Sequence, residues 1–175
     1  CLNTSMGLTP NAGLIMGTRC GDIDATILPY IMEKLNLSCK EMDNIMNKQS
    51  GLLGVSGVSS DSRDIENGIK EGNKRCELAQ RMYVRRIVDY IAKYYVELGG
   101  CDAIIFTAGV GENSVPVRKE VMQQLKVLGV ELDEEKNNIR GSLQRISTNE
   151  SSIKVYVIPT DEELMIARDT FELAR

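Results

Sequence analysis

The sequence predicts an α/β fold dominated by long helices. Three observations carry this. The run Ala103–Thr107 (AIIFT) reads as a strand buried on both faces, and glycines lead from it into a helical stripe. A second stripe, Cys76, Ala79, Met82, Tyr83, Ile87, Ile91, Tyr94 and Leu98, keeps three- and four-residue steps over more than six turns. The composition, 42% hydrophobic and 26% charged over 175 residues, suits one domain or a large piece of one.

Taken in order, the first 22 residues are predicted as a loop, punctuated by Gly7, Gly13, Gly17 and Gly21. Ile23, Ile27, Tyr30, Ile31 and Leu35 form a helical stripe that Pro29 should kink or divide. Ser38 and Glu41 have capping-box spacing, Leu37 and Met42 can staple, and Ser50-Gly51 stops the helix they open. Gly51–Ser60 is expected as a short strand. Asp61–Glu71 is expected as a helix weakened by Gly68. Asn73 caps the long helix that Gly99-Gly100 ends.

After the Ala103–Thr107 strand, Gly109-Val110-Gly111 should turn the chain. Ser114 or Asn113 then caps a helix with Pro116 in its first turn and an apolar stripe through Leu128. Val130–Leu132, Ile146 and Lys154–Ile158 are strand candidates, and Asp133–Gly141 is a polar loop with helical turns. Thr160 and Glu163 have capping-box spacing and open a last helix through Leu173.

Composition narrows the chemistry. A net charge of −4 argues against a nucleic-acid partner. No apolar run approaches the roughly 20 residues of a membrane-crossing helix. Five scattered cysteines without CxxC spacing read as free thiols in a reducing compartment, the cytoplasm. The absence of histidine removes Ser-His-Asp and Cys-His catalysis and the Cys/His zinc sites.

Four segments can carry a site. Phe106–Ser114 joins a strand to a helix start through glycines, which suits a phosphate or nucleotide; an ordinary strand-to-helix turn has the same pattern. Met16–Asp24 places Arg19 between glycines, either to stabilise a transferring phosphoryl group or as a surface partner of Asp22 or Asp24. Ser59–Asp64 contains Asp61 and Arg63, with Asp61 either a helix cap or a ribose acceptor. Pro159–Glu163 contains Glu162, which the cap does not need and which could hold Mg²⁺.

These segments, with their order and spacing, resemble the acetate kinase (acetokinase) family. The matching stretches are NTSMGLTP from Asn3, MGTRCGDID from Met16, NKQSGLLG from Asn47, FTAGVGENS from Phe106, DEEKNN from Asp133 and IPTDEEL from Ile158. The resemblance spans essentially the whole chain and resembles the C-terminal part of that enzyme only. It implies a ribonuclease-H-like α/β lobe of the acetate/sugar kinase–actin superfamily, a mixed sheet flanked by long helices. Residues 1–159 would form the nucleotide-binding lobe, and 160–175 a helix returning toward an N-terminal lobe.

The implied reaction is reversible, Mg²⁺-dependent phosphoryl transfer between ATP and acetate, giving acetyl phosphate and ADP. Mn²⁺ is the implied substitute metal, and propionate or butyrate kinase is the close alternative. Arg19 resembles the transition-state arginine. Asp61, Ser62 and Arg63 occupy the nucleotide-contact loop. Gly109, Val110, Gly111, Glu112 and Asn113 resemble the adenosine loop, and Glu162 the acidic residue that places Mg²⁺. A homodimer is implied as well. Cys20 stands where the family usually has Ser, and Ser62 where it has a larger residue. The family's upstream Asn, Arg, Asp, His and glycine-rich phosphate loop are not in these 175 residues, so the chain alone is expected to turn over negligibly.

Overall fold

The structure is a computed structural model that describes residues 1–174. Two compact units divide it, Cys1–Gly100 and the stretch from Cys101 onward.

The first unit is helical. An irregular segment leads to α1 (Ile27–Leu35), then α2 (Cys39–Lys48), α3 (Gly51–Ser56), α4 (Ser62–Lys70) and the 25-residue α5 (Lys74–Leu98). The Ser38–Glu41 capping box forms as expected, and Asn73 caps α5 by accepting from the Arg75 and Cys76 amides. Helix α1 starts later than its apolar stripe. Asp24 accepts from the Thr26 amide and hydroxyl, holding 24–26 in a turn, so Ile23 lies outside the helix. Pro29 therefore falls in the first turn, where a missing N–H costs nothing, and divides no helix.

Gly51–Ser56 is a helix, not the expected strand. Its first amides donate outside the helix: Leu52 to the Met16 carbonyl and Leu53 to the Gly17 carbonyl, both at 2.9 Å. Tertiary acceptors thus cap a segment whose own Ser50 side chain makes no cap bond. Gly68, read as a weakness, lets α4 approach α5, because a Cβ there would sit 2.6 Å from Cys76 Sγ. The core of this unit is Ile15, Leu52, Ile65, Cys76 and Ala79, with Val55, Ile69 and Tyr83 packed against it. Burying a side chain such as Ile65 stabilises the fold by about 1.5–3 kcal/mol.

The second unit carries a small mixed sheet in the order β1-β3-β2. β1 (Ala103–Phe106) pairs in parallel with β3 (Lys154–Val157), and β2 (Gln144–Arg145) pairs antiparallel to β3. The stretch Val130–Leu132 joins through a bridge from Leu132 to Ser147. β1 is not buried on both faces: Ile105 is 54% exposed. It lies at the sheet edge, and the central, fully buried place belongs to β3 through Val155 and Val157.

Between the strands run α6 (Ala108–Asn113), α7 (Val115–Gln124), a 3-10 turn at Leu125–Leu128 and α8 (Glu134–Asn137). The glycines after β1 form a short helix instead of an open turn, entered through Ala108 at φ +57°. Of the two expected caps of α7, Ser114 is the one used, accepting from the Val117 amide. The last helix is α9 (Glu162–Leu173). Its cap is Asp161, which accepts from the Leu164 amide at 3.1 Å, and not Thr160, whose hydrogen bonds go elsewhere. No residue of α9 is buried.

Candidate functional site

Arg19 sits at the tip of a loop built almost wholly from backbone hydrogen bonds. The Met16 amide donates to the Arg19 carbonyl at 3.1 Å, closing the tip. Four further bonds tie the loop to α2 and the start of α3. Ser50 N–H donates to Thr18 O, Leu52 and Leu53 donate as described, and Cys20 N–H donates to Met46 O. The Thr18 hydroxyl adds a bond to Asn47 O at 2.8 Å. Gly51 permits this contact: its φ is +64°, and a Cβ there would lie 2.1 Å from Met16 O. The strand-like reading of Gly51–Ser60 missed this role, because the partner carbonyls lie more than 30 residues upstream.

The pairing of Arg19 with Asp22 or Asp24 does not occur. Asp24 is committed to Thr26, and Asp22 accepts from the Gly13 amide and the Tyr90 hydroxyl. Among the described residues Arg19 reaches no carboxylate, and its guanidinium donates to Met16 Sδ at 3.4 Å.

The Arg19 loop packs beside the Asp61 loop, since a Cβ on Gly17 would meet Ser60 O at 2.7 Å. Asp61 caps α4, accepting from the Arg63 amide at 2.8 Å. Its carboxylate also receives the Arg63 guanidinium, from Nε at 3.0 and 3.1 Å and from one terminal nitrogen at 2.5 Å. These bonds to Arg63 hold the Asp61 carboxyl down at about 2. Ser62 opens the helix beside them. The cap reading of Asp61 is therefore correct, and its pair with Arg63 is solvent-exposed.

In the second unit, Gly109–Asn113 form the body of α6. Gly111 packs against the Phe106 backbone, where a Cβ would come within 3.3 Å. Gly109 has nothing within 4 Å of a Cβ position, so the fold does not require glycine there. Val110 accepts from the Ser114 amide through its carbonyl, and the Asn113 side chain donates to Gly109 O at 2.9 Å. Glu112 turns to Thr160: its Oε1 accepts from the Thr160 amide at 2.9 Å and hydroxyl at 3.0 Å. Those bonds lower the Glu112 carboxyl below the usual range, the backbone amide first. They also explain why Thr160 does not cap α9. Glu162, two residues on, is exposed and outside the cap.

Beneath this segment lies Arg118, which the sequence reading passed over. It is fully buried, and each of its five N–H groups has a partner. One terminal nitrogen donates to Gly111 O and Glu112 O, both at 2.9 Å. The other donates to Asn137 O and Ile139 O at 2.8 Å, and Nε to Asn137 Oδ1 at 2.8 Å. Burial pushes its pKa down, but an arginine stays charged. Asn137, itself buried, returns a bond to Val115 O at 3.1 Å. The available signal was position 118 itself, which lies with Ser114, Val121 and Leu125 on the apolar face of α7.

Comparison with known proteins places these features in a family. The acetokinase family model matches residues 1–168. Acetate kinase of Treponema denticola is 57% identical over 175 residues, all of this chain and 44% of that protein. Acetate kinase of Clostridium novyi is 56% identical over 173 residues, 99% of this chain and 43% of that protein. The crystal structure of Porphyromonas gingivalis acetate kinase superposes with a TM-score of 0.92 at 46% identity, covering 98% of this chain and 43% of that one. A propionate kinase from Francisella tularensis superposes with a TM-score of 0.87 at 41% identity, covering 93% and 41%. The chain thus spans less than half the length of the relatives it matches. Over that span, the chain belongs to the acetokinase family.

Proposed function

We propose that this chain is the C-terminal, ribonuclease-H-like part of an acetate kinase, which moves a phosphoryl group reversibly between ATP and acetate, giving acetyl phosphate and ADP. The observation that carries the reading is Arg19: a cation on a loop held by backbone hydrogen bonds, with no carboxylate among the described residues paired to it. Phosphoryl transfer is mostly positioning and charge stabilisation, and a pre-placed guanidinium supplies both. A guanidinium already paired with Asp22 or Asp24 would have to break that pair first.

Asp61, Ser62 and Arg63 are assigned to nucleotide contact, with the exposed Asp61–Arg63 pair able to exchange partners when a ligand offers hydroxyls or phosphate. Gly109, Val110, Gly111 and Asn113 are assigned to adenosine. The open space at Gly109 supports this, because it leaves the backbone approachable. Glu112 belongs to the same segment, with one carboxylate oxygen committed to Thr160.

Glu162 fits a magnesium ligand. It is an exposed carboxylate between Asp161 and Glu163, and it is not the residue that caps α9; Mg²⁺ is held through one or two carboxylates plus phosphate and water. Among the described residues no group of three metal-ligating side chains gathers into a cage. Bound with the nucleotide, Mg²⁺ (or Mn²⁺) would neutralise phosphate charge. The segment 160–175 is read as the helix returning toward the remainder of the enzyme; the exposure of Leu164, Ile166 and Phe171 supports this. A cytoplasmic homodimer completes the reading; the five free thiols suit a reducing compartment.

The test is formation of acetyl phosphate by the intact enzyme on acetate, propionate and butyrate. Acetate should be preferred; a preference for propionate would favour the chemistry named for the Francisella neighbour. Arg19→Ala should lower kcat by about a thousandfold, with KM for ATP changed far less. A pure KM effect would reduce Arg19 to a ground-state contact. The 175 residues alone should show negligible turnover, and substantial turnover by them would overturn the division of labour.

A further inference from the structure

Arg19 is only as well placed as the base of its loop, and that base is fastened by Asp22 and by side chains of α5. Gly13 and Asp22 close the loop with two reciprocal bonds. The Gly13 amide donates to Asp22 Oδ1 at 2.7 Å, and the Asp22 amide donates to Gly13 O at 3.0 Å. Gly21 lets the strands of the bracket meet: its φ is +69°, and a Cβ there would lie 2.7 Å from both Gly13 O and Ile15 N. The bracket is anchored to α5. The Tyr90 hydroxyl donates to Asp22 Oδ2 at 2.5 Å, and Arg86 donates to the Asp22 carbonyl at 3.1 Å. Both oxygens of Asp22 are thus used, one for closing the loop and one for attaching it to the helix.

We infer that Tyr90 and Asp22 are a positioning pair for Arg19, setting the loop that carries the guanidinium against α5. This rests on the role of Arg19 proposed above. The tip of the loop is fixed on α2 and α3 through the backbone of 16–20 and the Thr18 hydroxyl. Without the base anchor, the loop keeps its tip contacts and loses one of its two fixed ends. The phenol is the sharper probe, because Tyr90→Phe removes a single oxygen and leaves the ring beside Tyr94, 5.7 Å away between centroids.

The experiment is a double-mutant cycle in the intact enzyme, with Tyr90→Phe made in the wild-type and in the Arg19→Ala backgrounds. Loss of a hydrogen bond to a charged acceptor should appear as about a tenfold fall in kcat for Tyr90→Phe, with KM for ATP moved less than about twofold. In the Arg19→Ala background the same substitution should cost almost nothing. An equal fall in both backgrounds, or a loss expressed in KM alone, overturns the pairing. Amide hydrogen exchange on the 175-residue chain gives a readout independent of turnover. Gly13 and Met16–Cys20 should exchange faster in Tyr90→Phe, while amides of α4 stay unchanged. If wild-type enzyme makes no acetyl phosphate, the function assigned to Arg19 fails. If exchange at Gly13 is also unmoved, the anchor fails with it, and if it rises, the anchor stands on its own.

Discussion

Replacing Arg118 tests whether the Gly109–Asn113 segment is supported from beneath. Arg118→Ala removes five donors from Gly111 O, Glu112 O, Asn137 O, Asn137 Oδ1 and Ile139 O, all served by one buried guanidinium. Counting each bond separately would overshoot, because carbonyls keep a second lone pair and water can enter the space left. The oxygens it serves are neutral, and a buried acceptor left unpaired costs about 1–3 kcal/mol; with water replacing some of the donors, about 4 kcal/mol is expected. Arg118→Met keeps most of the volume and none of the donors, and should cost about 3 kcal/mol. Arg118→Lys offers three donors for five acceptors and should recover roughly half of the loss. The assay is urea unfolding of the chain followed by circular dichroism, together with hydrogen exchange at Gly141, whose amide donates to Glu112 O. At an m of about 2 kcal/mol/M, Arg118→Ala should lower the second unit's midpoint by about 2 M. A shift under about 0.5 M, or lysine no better than alanine, would refute the support role.

Further outcomes follow from other positions. Gly51→Ala forces a Cβ against a backbone carbonyl in a left-handed conformation and should cost about 2–3 kcal/mol, whereas Gly72→Ala, with φ +83° and open space, should cost about 1 kcal/mol. Equal losses at the two sites, read by urea unfolding, would show that the Met16 contact does not matter. The Asp61 carboxyl should titrate near 2 by carbon-detected NMR, and Arg63→Gln should return it toward its ordinary 3.8. Because the folded value is the lower one, the Asp61 cap contributes above the ordinary carboxylate range and is lost as pH falls through about 2. A midpoint near 4 would mean that the pair with Arg63 does not persist in solution.

The helix caps were legible because their chemistry is local. Ser38 with Glu41, Asn73, Ser114 and the glycine stop at Gly99 all act within four residues of themselves. The misreadings share the opposite cause. Gly51–Ser56 looks like a strand until Met16 O and Gly17 O cap its first turn. Thr160 looks like the cap of α9 until Glu112 claims it from 48 residues away. β1 reads as central because its residues are apolar, yet pairing along the chain gives the centre to β3. For the site, spacing and family resemblance directed attention to Arg19, Asp61, Gly109 and Glu162. The supports Arg118, Asn137 and Tyr90 escaped, and Asp22 was read only as a partner of Arg19, since the partner of each is set only by folding.

The parallel pairing of β1 with β3 bears on how the polypeptide is born. Ala103 meets Lys154, so the first strand leaves the ribosome 51 residues before the strand it pairs with. At about 10 residues per second that is an interval of about 5 s, during which an apolar edge waits uncovered. The helices of the first unit meet close neighbours in sequence and can settle in that time. Nascent chains halted before Lys154 should therefore hold a folded first unit and depend on chaperones for the stretch after Gly100, a dependence that should vanish once Val157 has emerged.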